Sequence, residues 1–232
     1  MNSGPEGTET GIVHEHHITV RRTGRYSTLG EQAAGGAPRA VWFVLHGYGQ
    51  LAGRFLRPFA RLADEDGATL VVAPEGLSRF YLDDVNVPAA ERRVGASWMT
   101  REDRLAEIDD YVAYLDAVYA EVLRSPARPR VTVLGFSQGT ATACRWLARG
   151  AARADRLIVW GGEVPPDLDL AAAGERLASH DLTLVAGRRD ELITAKILAR
   201  DTARLRSHGV AFRVVEFAGG HELDEEVLRQ LW

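Results

Sequence analysis

The chain has 232 residues, 46% hydrophobic and 26% charged, enough for one substantial core and ordinary for a soluble globular protein. A formal net charge of -4 and a pI near 6.0 exclude any electrostatic case for nucleic acid or an anionic membrane surface as partner. Cys144, the only cysteine, rules out an intrachain disulfide.

Residues 1–11 are polar and acidic, without the cationic start and apolar core of a secretory signal, and are expected to form a disordered tail. No stretch approaches the ~20 apolar residues of a spanning helix, so the expected location is the cytoplasm. Residues 12–232 are expected to make one domain.

Residues 12–20 alternate, with Ile12, His14, His16, Ile18 and Val20 on one face, and 25–29 can return beside them as an antiparallel partner. His14, His16 and His17 have no acidic or cysteine cluster near them in sequence, so no metal site is expected. Residues 30–39 read as a loop. Residues 40–45 are a continuous apolar run, the mark of a strand covered on both faces, and end in His46-Gly-Tyr-Gly49. A helix over 53–66 and a strand over 69–73 follow, the latter ending in Pro74-Glu-Gly76.

From 77 to 100 periodicity fails, giving a long loop of the kind that carries function. Leu105, Ile108, Val112, Leu115, Val118 and Val122 then stand at helical spacing within 101–124. The β-branched strand 131–134 runs into Gly135-Phe-Ser-Gln-Gly139, and 140–149 reads as a helix. Beyond it, strands over 156–160, 181–186 and 210–217 alternate with helices over 168–179, 191–207 and 222–232. This alternation calls for a mainly parallel sheet with helices on both faces and antiparallel strands only at the N-terminus.

In such a sheet, catalytic groups collect beyond the carboxyl ends of the strands. Gly135-Phe-Ser-Gln-Gly139 has the form of a nucleophile elbow, in which a sharp strand-to-helix turn pushes the Ser137 hydroxyl outward and glycines admit close chain approach. A serine hydroxyl needs a base, and that imidazole needs a carboxylate to hold its tautomer. His221 and Asp190, each at a strand end, are the candidates, in the chain order Ser, Asp, His. Glu163 is the rival acid, and His46, His180 and His208 are the other histidines to weigh. The developing oxyanion needs backbone N–H donors, expected from Gln138 and, across the glycines of the 46–49 loop, from Tyr48.

Leu45-His-Gly-Tyr-Gly49, Gly135-Phe-Ser-Gln-Gly139, Gly187-Arg-Arg-Asp190 and Ala218-Gly-Gly-His-Glu222, with Ser97-Trp98 and Pro74-Glu-Gly76, resemble the phospholipase/carboxylesterase group of α/β-hydrolases, which includes acyl-protein thioesterases. The resemblance spans residues 40–232. It implies an α/β-hydrolase fold and a metal-free, cofactor-free serine esterase or thioesterase acting on a small-molecule ester through Ser137, Asp190 and His221. Tyr48 and Gln138 then form the oxyanion hole.

The pattern departs from that group at Gln50, where an acidic residue is usual, in Ser97-Trp-Met-Thr100, and at Thr140 in place of a second glycine. These positions bear on substrate. Gln50, Leu51 and Trp98 are the candidate substrate contacts, with Phe80 or Tyr81 also in the expected wall. The alternatives are an acyltransferase or peptidase on the same three residues, or a hydrolase-like binding module without activity; a homodimer is left open.

Overall fold

A computed structural model of the protein describes residues 13–30, 38–125 and 128–232. The expected tail at 1–11 and most of the loop at 30–39 lie outside these residues. Its strands and helices are, in chain order, β1 (Tyr26–Leu29), β2 (Ala40–Leu45), α1 (Ala52–Phe55), α2 (Ala60–Asp66), β3 (Thr69–Pro74), β4 (Ser78–Tyr81), β5 (Val94–Ser97), α3 (Arg104–Val122), β6 (Arg130–Phe136), α4 (Gln138–Arg149), β7 (Arg156–Trp160), α5 (Leu170–Ala178), β8 (Asp181–Gly187), α6 (Ala195–Ser207), β9 (Arg213–Phe217) and α7 (Glu225–Leu231).

Seven strands form one sheet in the order β1-β3-β2-β6-β7-β8-β9, all parallel except β1, which runs antiparallel to β3. Alternate side chains of the central strands feed two cores. Val41, Phe43, Leu45, Val131 and Val133 pack with α3, α4 and α5, whereas Trp42, Val44 and Phe136 pack with α1, α2 and α7. That two-sided burial is why β2 and β6 read as unbroken apolar runs rather than alternating ones. This is the expected α/β architecture.

Several boundaries differ from the sequence expectation, each for a local reason. The alternation over 12–20 yields no strand in its described part. Val13, Ile18 and Val20 are exposed there, and the antiparallel partner of β1 is β3, with Tyr26 opposite Pro74. Alternation is a local pattern and makes a strand only where the segment docks on a partner; the outer edge of β1, the first strand in the sheet order, pairs with no described strand. The expected helix over 53–66 is broken by a 3-10 turn at Arg57–Phe59, where Pro58 has no N–H to continue the ladder. The stretch 77–100 contains a hairpin, β4 against β5, with Ser78 opposite Ser97. The helix after Asp190 begins only at Ala195, because the Asp190 carboxylate takes the Leu192 and Ile193 N–H groups into a turn. The last helix begins at Glu225, capped by Asp224, whose carboxylate accepts the Val227 N–H at 2.9 Å. No helix among the described residues is long and apolar enough to cross a membrane.

Candidate active site

Ser137 stands between the buried end of β6 and the first turn of α4, with φ 54° and ψ -118°. A residue bearing a Cβ is strained there, and the surrounding packing enforces it. A Cβ on Gly139 would lie 2.1 Å from the Leu45 carbonyl oxygen, and one on Gly135 would lie 2.4 Å from that of Gly139. The two glycines therefore let β2, β6 and α4 close up beneath the serine.

Three side chains from three strand ends meet at this turn. His221 Nε2 lies 2.9 Å from Ser137 Oγ, and His221 Nδ1 lies 2.9 Å from Asp190 Oδ2. An ionised carboxylate only accepts, so Nδ1 carries the proton and Nε2 is left to accept from the serine hydroxyl. Burial alone would raise the Asp190 pKa. The Ile193 N–H, the His221 imidazole and the Leu192 N–H together outweigh it and hold the carboxyl below its ordinary value. Asp190 thus both shapes the turn before α6, through Oδ1, and receives the imidazole, through Oδ2.

The imidazole is braced on other sides as well. The Phe136 ring packs on it with centroids 5.1 Å apart, and the Trp160 indole N–H donates to the Glu222 carbonyl at 2.9 Å, tying down the 218–222 loop. Glu163, the rival acid, is instead paired with Arg200. His208 bonds the Arg204 carbonyl at 2.9 Å as the C-cap of α6, and His180 is buried against the Ala154 carbonyl.

The loop after β2 is held by its own polar groups. Gly76 N–H donates to His46 Nε2 at 3.0 Å, so the opposite ring nitrogen is the donor to the Gly47 carbonyl at 2.8 Å. The Gly47 N–H donates to Gln50 Oε1, the Gly49 N–H to the Ala96 carbonyl, and the Gln50 N–H to the Gly47 carbonyl. Of the amides from Gly47 to Gln50, the Tyr48 N–H is the one not spent in these bonds. The Tyr48 side chain is 60% exposed and packs on Phe80 of β4.

Gln138 follows Ser137 at the start of α4, and its carboxamide clamps the end of β5. Nε2 donates to the Met99 carbonyl at 2.8 Å, while Oε1 accepts the Trp98 N–H at 3.1 Å. Sequence reasoning assigned Gln138 only a backbone role. This clamp was invisible to it, because it joins residues 40 apart in the chain.

A cleft of about 430 Å³ opens beside the imidazole, lined by His221, Gln50, Leu51, Phe55, Phe136 and Leu223 among others. Gln50 and Leu51, two of the candidate substrate contacts, are among its lining residues. Trp98 is not. It is 2% exposed, lies against His46 with ring centroids 5.0 Å apart, and reaches instead the wall of a separate cavity of about 910 Å³ between residues 17–26 and α3. None of Ser137, Asp190 and His221 lines that larger cavity. Trp98 is buried because its N–H has a carbonyl to bond inside the core, which makes it a brace for the 46–50 loop rather than a wall of the cleft.

Glu75 was overlooked. Its nearly buried carboxylate accepts from Arg25 at 2.7 Å, Arg79 at 2.9 Å and the Ala52 N–H at 3.3 Å, linking β1, β4 and the start of α1. The signal was the acidic residue in Pro74-Glu-Gly76, set between an all-buried strand and a glycine. Cys144 is packed in the core, where burial pushes its thiol up to about 12. Glu15, His17 and Asp103 bring three exposed ligand-type atoms within 4.8 Å of one another, far in sequence from the three residues at the elbow.

A family model described as serine aminopeptidase, S33 (Hydrolase_4), matches residues 36–209. The chain belongs to that family. Members are α/β-hydrolases, in agreement with the esterase-like resemblance of the motifs. Among solved structures, Zea mays acyl-protein thioesterase 2 superposes with a TM-score of 0.65 at 18% identity, covering 90% of this chain and 96% of its own. Esterase PE8 gives 0.62 at 19% identity over 91% and 100%, and Arabidopsis thaliana SOBER1 gives 0.62 at 18% identity over 84% and 96%. At such identities the likeness is one of fold. No curated protein matches the chain.

Proposed function

We propose that this S33-family hydrolase is a serine esterase that cleaves carboxylic esters or thioesters through an acyl-enzyme. The observation that carries the reading is the continuous chain Ser137 Oγ, His221, Asp190, with both contacts at 2.9 Å, built on a serine held at φ 54°. Ser137 attacks the acyl carbonyl while His221 Nε2 takes its proton, and Asp190 stabilises the imidazolium that forms. The tetrahedral oxyanion is received by the N–H groups of Tyr48 and Gln138, a donor of this kind being worth roughly 3 kcal/mol of barrier. His221 then protonates the departing alcohol or thiol. A water deprotonated by the same nitrogen releases the acid.

The test combines a fluorophosphonate probe with hydrolysis of p-nitrophenyl butyrate and an S-acyl thioester by the wild type and Ser137→Ala. Labelling and turnover are expected in the wild type and lost in the variant while its far-ultraviolet circular dichroism is unchanged. Turnover that survives Ser137→Ala overturns the assignment, and an unlabelled wild type favours a binding module. The family's description favours one second reading, a peptidase on the same residues. Faster cleavage of amino-acid p-nitroanilides than of the matched esters would select it.

A further inference from the structure

The cleft beside His221 carries two charged side chains, Arg54 and Glu222, over a floor that includes Leu51, Phe55 and Leu223. Their situations differ. Glu222 Oε1 accepts the Gly220 N–H at 3.2 Å, so its carboxylate is engaged with the loop that bears His221. Arg54 stands exposed on α1, directly after the loop of Tyr48 and Gln50, and among the described residues it takes part in no ion pair. Arg25 and Arg79 are committed to Glu75, and Arg200 to Glu163 and Asp201, while the exposed Arg188 and Arg189 before Asp190 are not among the residues that line this cleft. A guanidinium offers a planar fork of donors that matches a carboxylate. An unengaged one, set on the wall of the cleft that holds the imidazole, is placed to receive an anion while the rest of the substrate covers apolar floor.

We infer that Arg54 selects ester substrates that carry a carboxylate, binding that anion in the cleft beside His221. This rests on the esterase reading above. It leaves two sources of the anion, the acyl half or the alcohol half, and the substrates below separate them.

The experiment measures kcat/KM for mono-p-nitrophenyl glutarate, whose carboxylate is in the acyl half, and for 4-acetoxybenzoate, whose carboxylate is in the leaving group. Each is compared with its neutral counterpart, p-nitrophenyl butyrate or phenyl acetate. Wild type, Arg54→Lys, Arg54→Ala and Arg54→Glu are compared, with fluorophosphonate labelling recorded for every protein. The ratio of anionic to neutral ester in one pair is expected to fall about fivefold in Arg54→Ala, the factor an exposed charged contact commands. It should fall further in Arg54→Glu, be partly kept in Arg54→Lys, and shrink as salt is raised.

Ratios that stay the same across the four proteins overturn the inference, even if every protein is labelled and active. A wild-type preference for cationic aminoacyl esters over both anionic ones also overturns it, and would move recognition to Glu222. If the wild type is neither labelled nor active on any ester, the esterase reading falls and this inference falls with it.

Discussion

The indole N–H of Trp98 donates to the main-chain carbonyl of His46 at 2.8 Å, and the two rings lie 5.0 Å apart. The residue that leaves β5 thereby fixes the first residue of the loop that bears Tyr48, and Gln138, directly after Ser137, grips the same segment from the start of α4. Trp98→Phe keeps an aromatic ring but strands the His46 carbonyl in the core, at a cost of about 1–3 kcal/mol. Thermal unfolding should register that loss. If the contact positions the loop, kcat for a simple aryl ester falls about tenfold with KM little changed. A loss of stability with unaltered kcat would make Trp98 purely structural.

Ser137 is held where only glycine is at ease. Ser137→Ala keeps the Cβ and with it the strain, whereas Ser137→Gly releases it. The glycine variant is therefore expected to be about 1 kcal/mol more stable than the alanine one in urea titrations, and both should be inactive. Equal stabilities would show that the turn carries no strain at this residue.

Asp190→Asn should present a side-chain amide to His221 Nδ1 and favour the wrong imidazole tautomer, lowering kcat by about ten thousandfold. Because the folded-state pKa of Asp190 is depressed, its ionisation contributes stability that is present above the ordinary value of 3.8 and is lost as pH falls through the lower folded value. The stability gap between wild type and Asp190→Asn should accordingly close in acid. Glu163→Gln, which removes one of the two carboxylates paired with Arg200, is expected to retain activity within about twofold. Activity measurements that reverse this order would exchange the roles of the two acids.

His46 accepts the Gly76 N–H and donates to the Gly47 carbonyl, an arrangement that only the neutral ring can make. Burial lowers its pKa from 6.5, against the raising effect of the Gly47 carbonyl, and His180 is lowered in the same sense. As pH drops below 6.5 the unfolded chain takes up these protons first, so stability present above that value is lost as pH falls through the lowered folded values. The unfolding midpoint should decline between about pH 7 and about pH 5, and His180→Gln should flatten that decline. A midpoint independent of pH in this window would contradict the burial of both rings.

Much of this architecture is legible in the chain itself. The apolar runs of β2 and β6 declare strands covered on both sides, and each candidate triad member stands just beyond a strand end, where a parallel sheet gathers its chemistry. The elbow is equally legible, since glycines flanking Ser137 mark close chain passage that the carbonyls of Leu45 and Gly139 then occupy. Less was readable between 77 and 100. The four-residue strands of the hairpin are too short for a period to emerge, and their pairing is set by contacts with the 46–50 loop. The alternation of 12–20 misled because it is a local property, whereas docking on the outer edge of β1 depends on contacts that the segment itself does not encode.

The sequence by itself determined the class of fold, the order of Ser137, Asp190 and His221, and the loop carrying Tyr48, because strand periodicity and glycine punctuation are local properties. Only the tertiary structure decided that Asp190 rather than Glu163 meets the imidazole, that Trp98 braces a loop instead of lining the cleft, and that Arg54 faces that cleft. Those outcomes depend on which side chains distant segments bring within bonding distance. No periodicity along one segment encodes that.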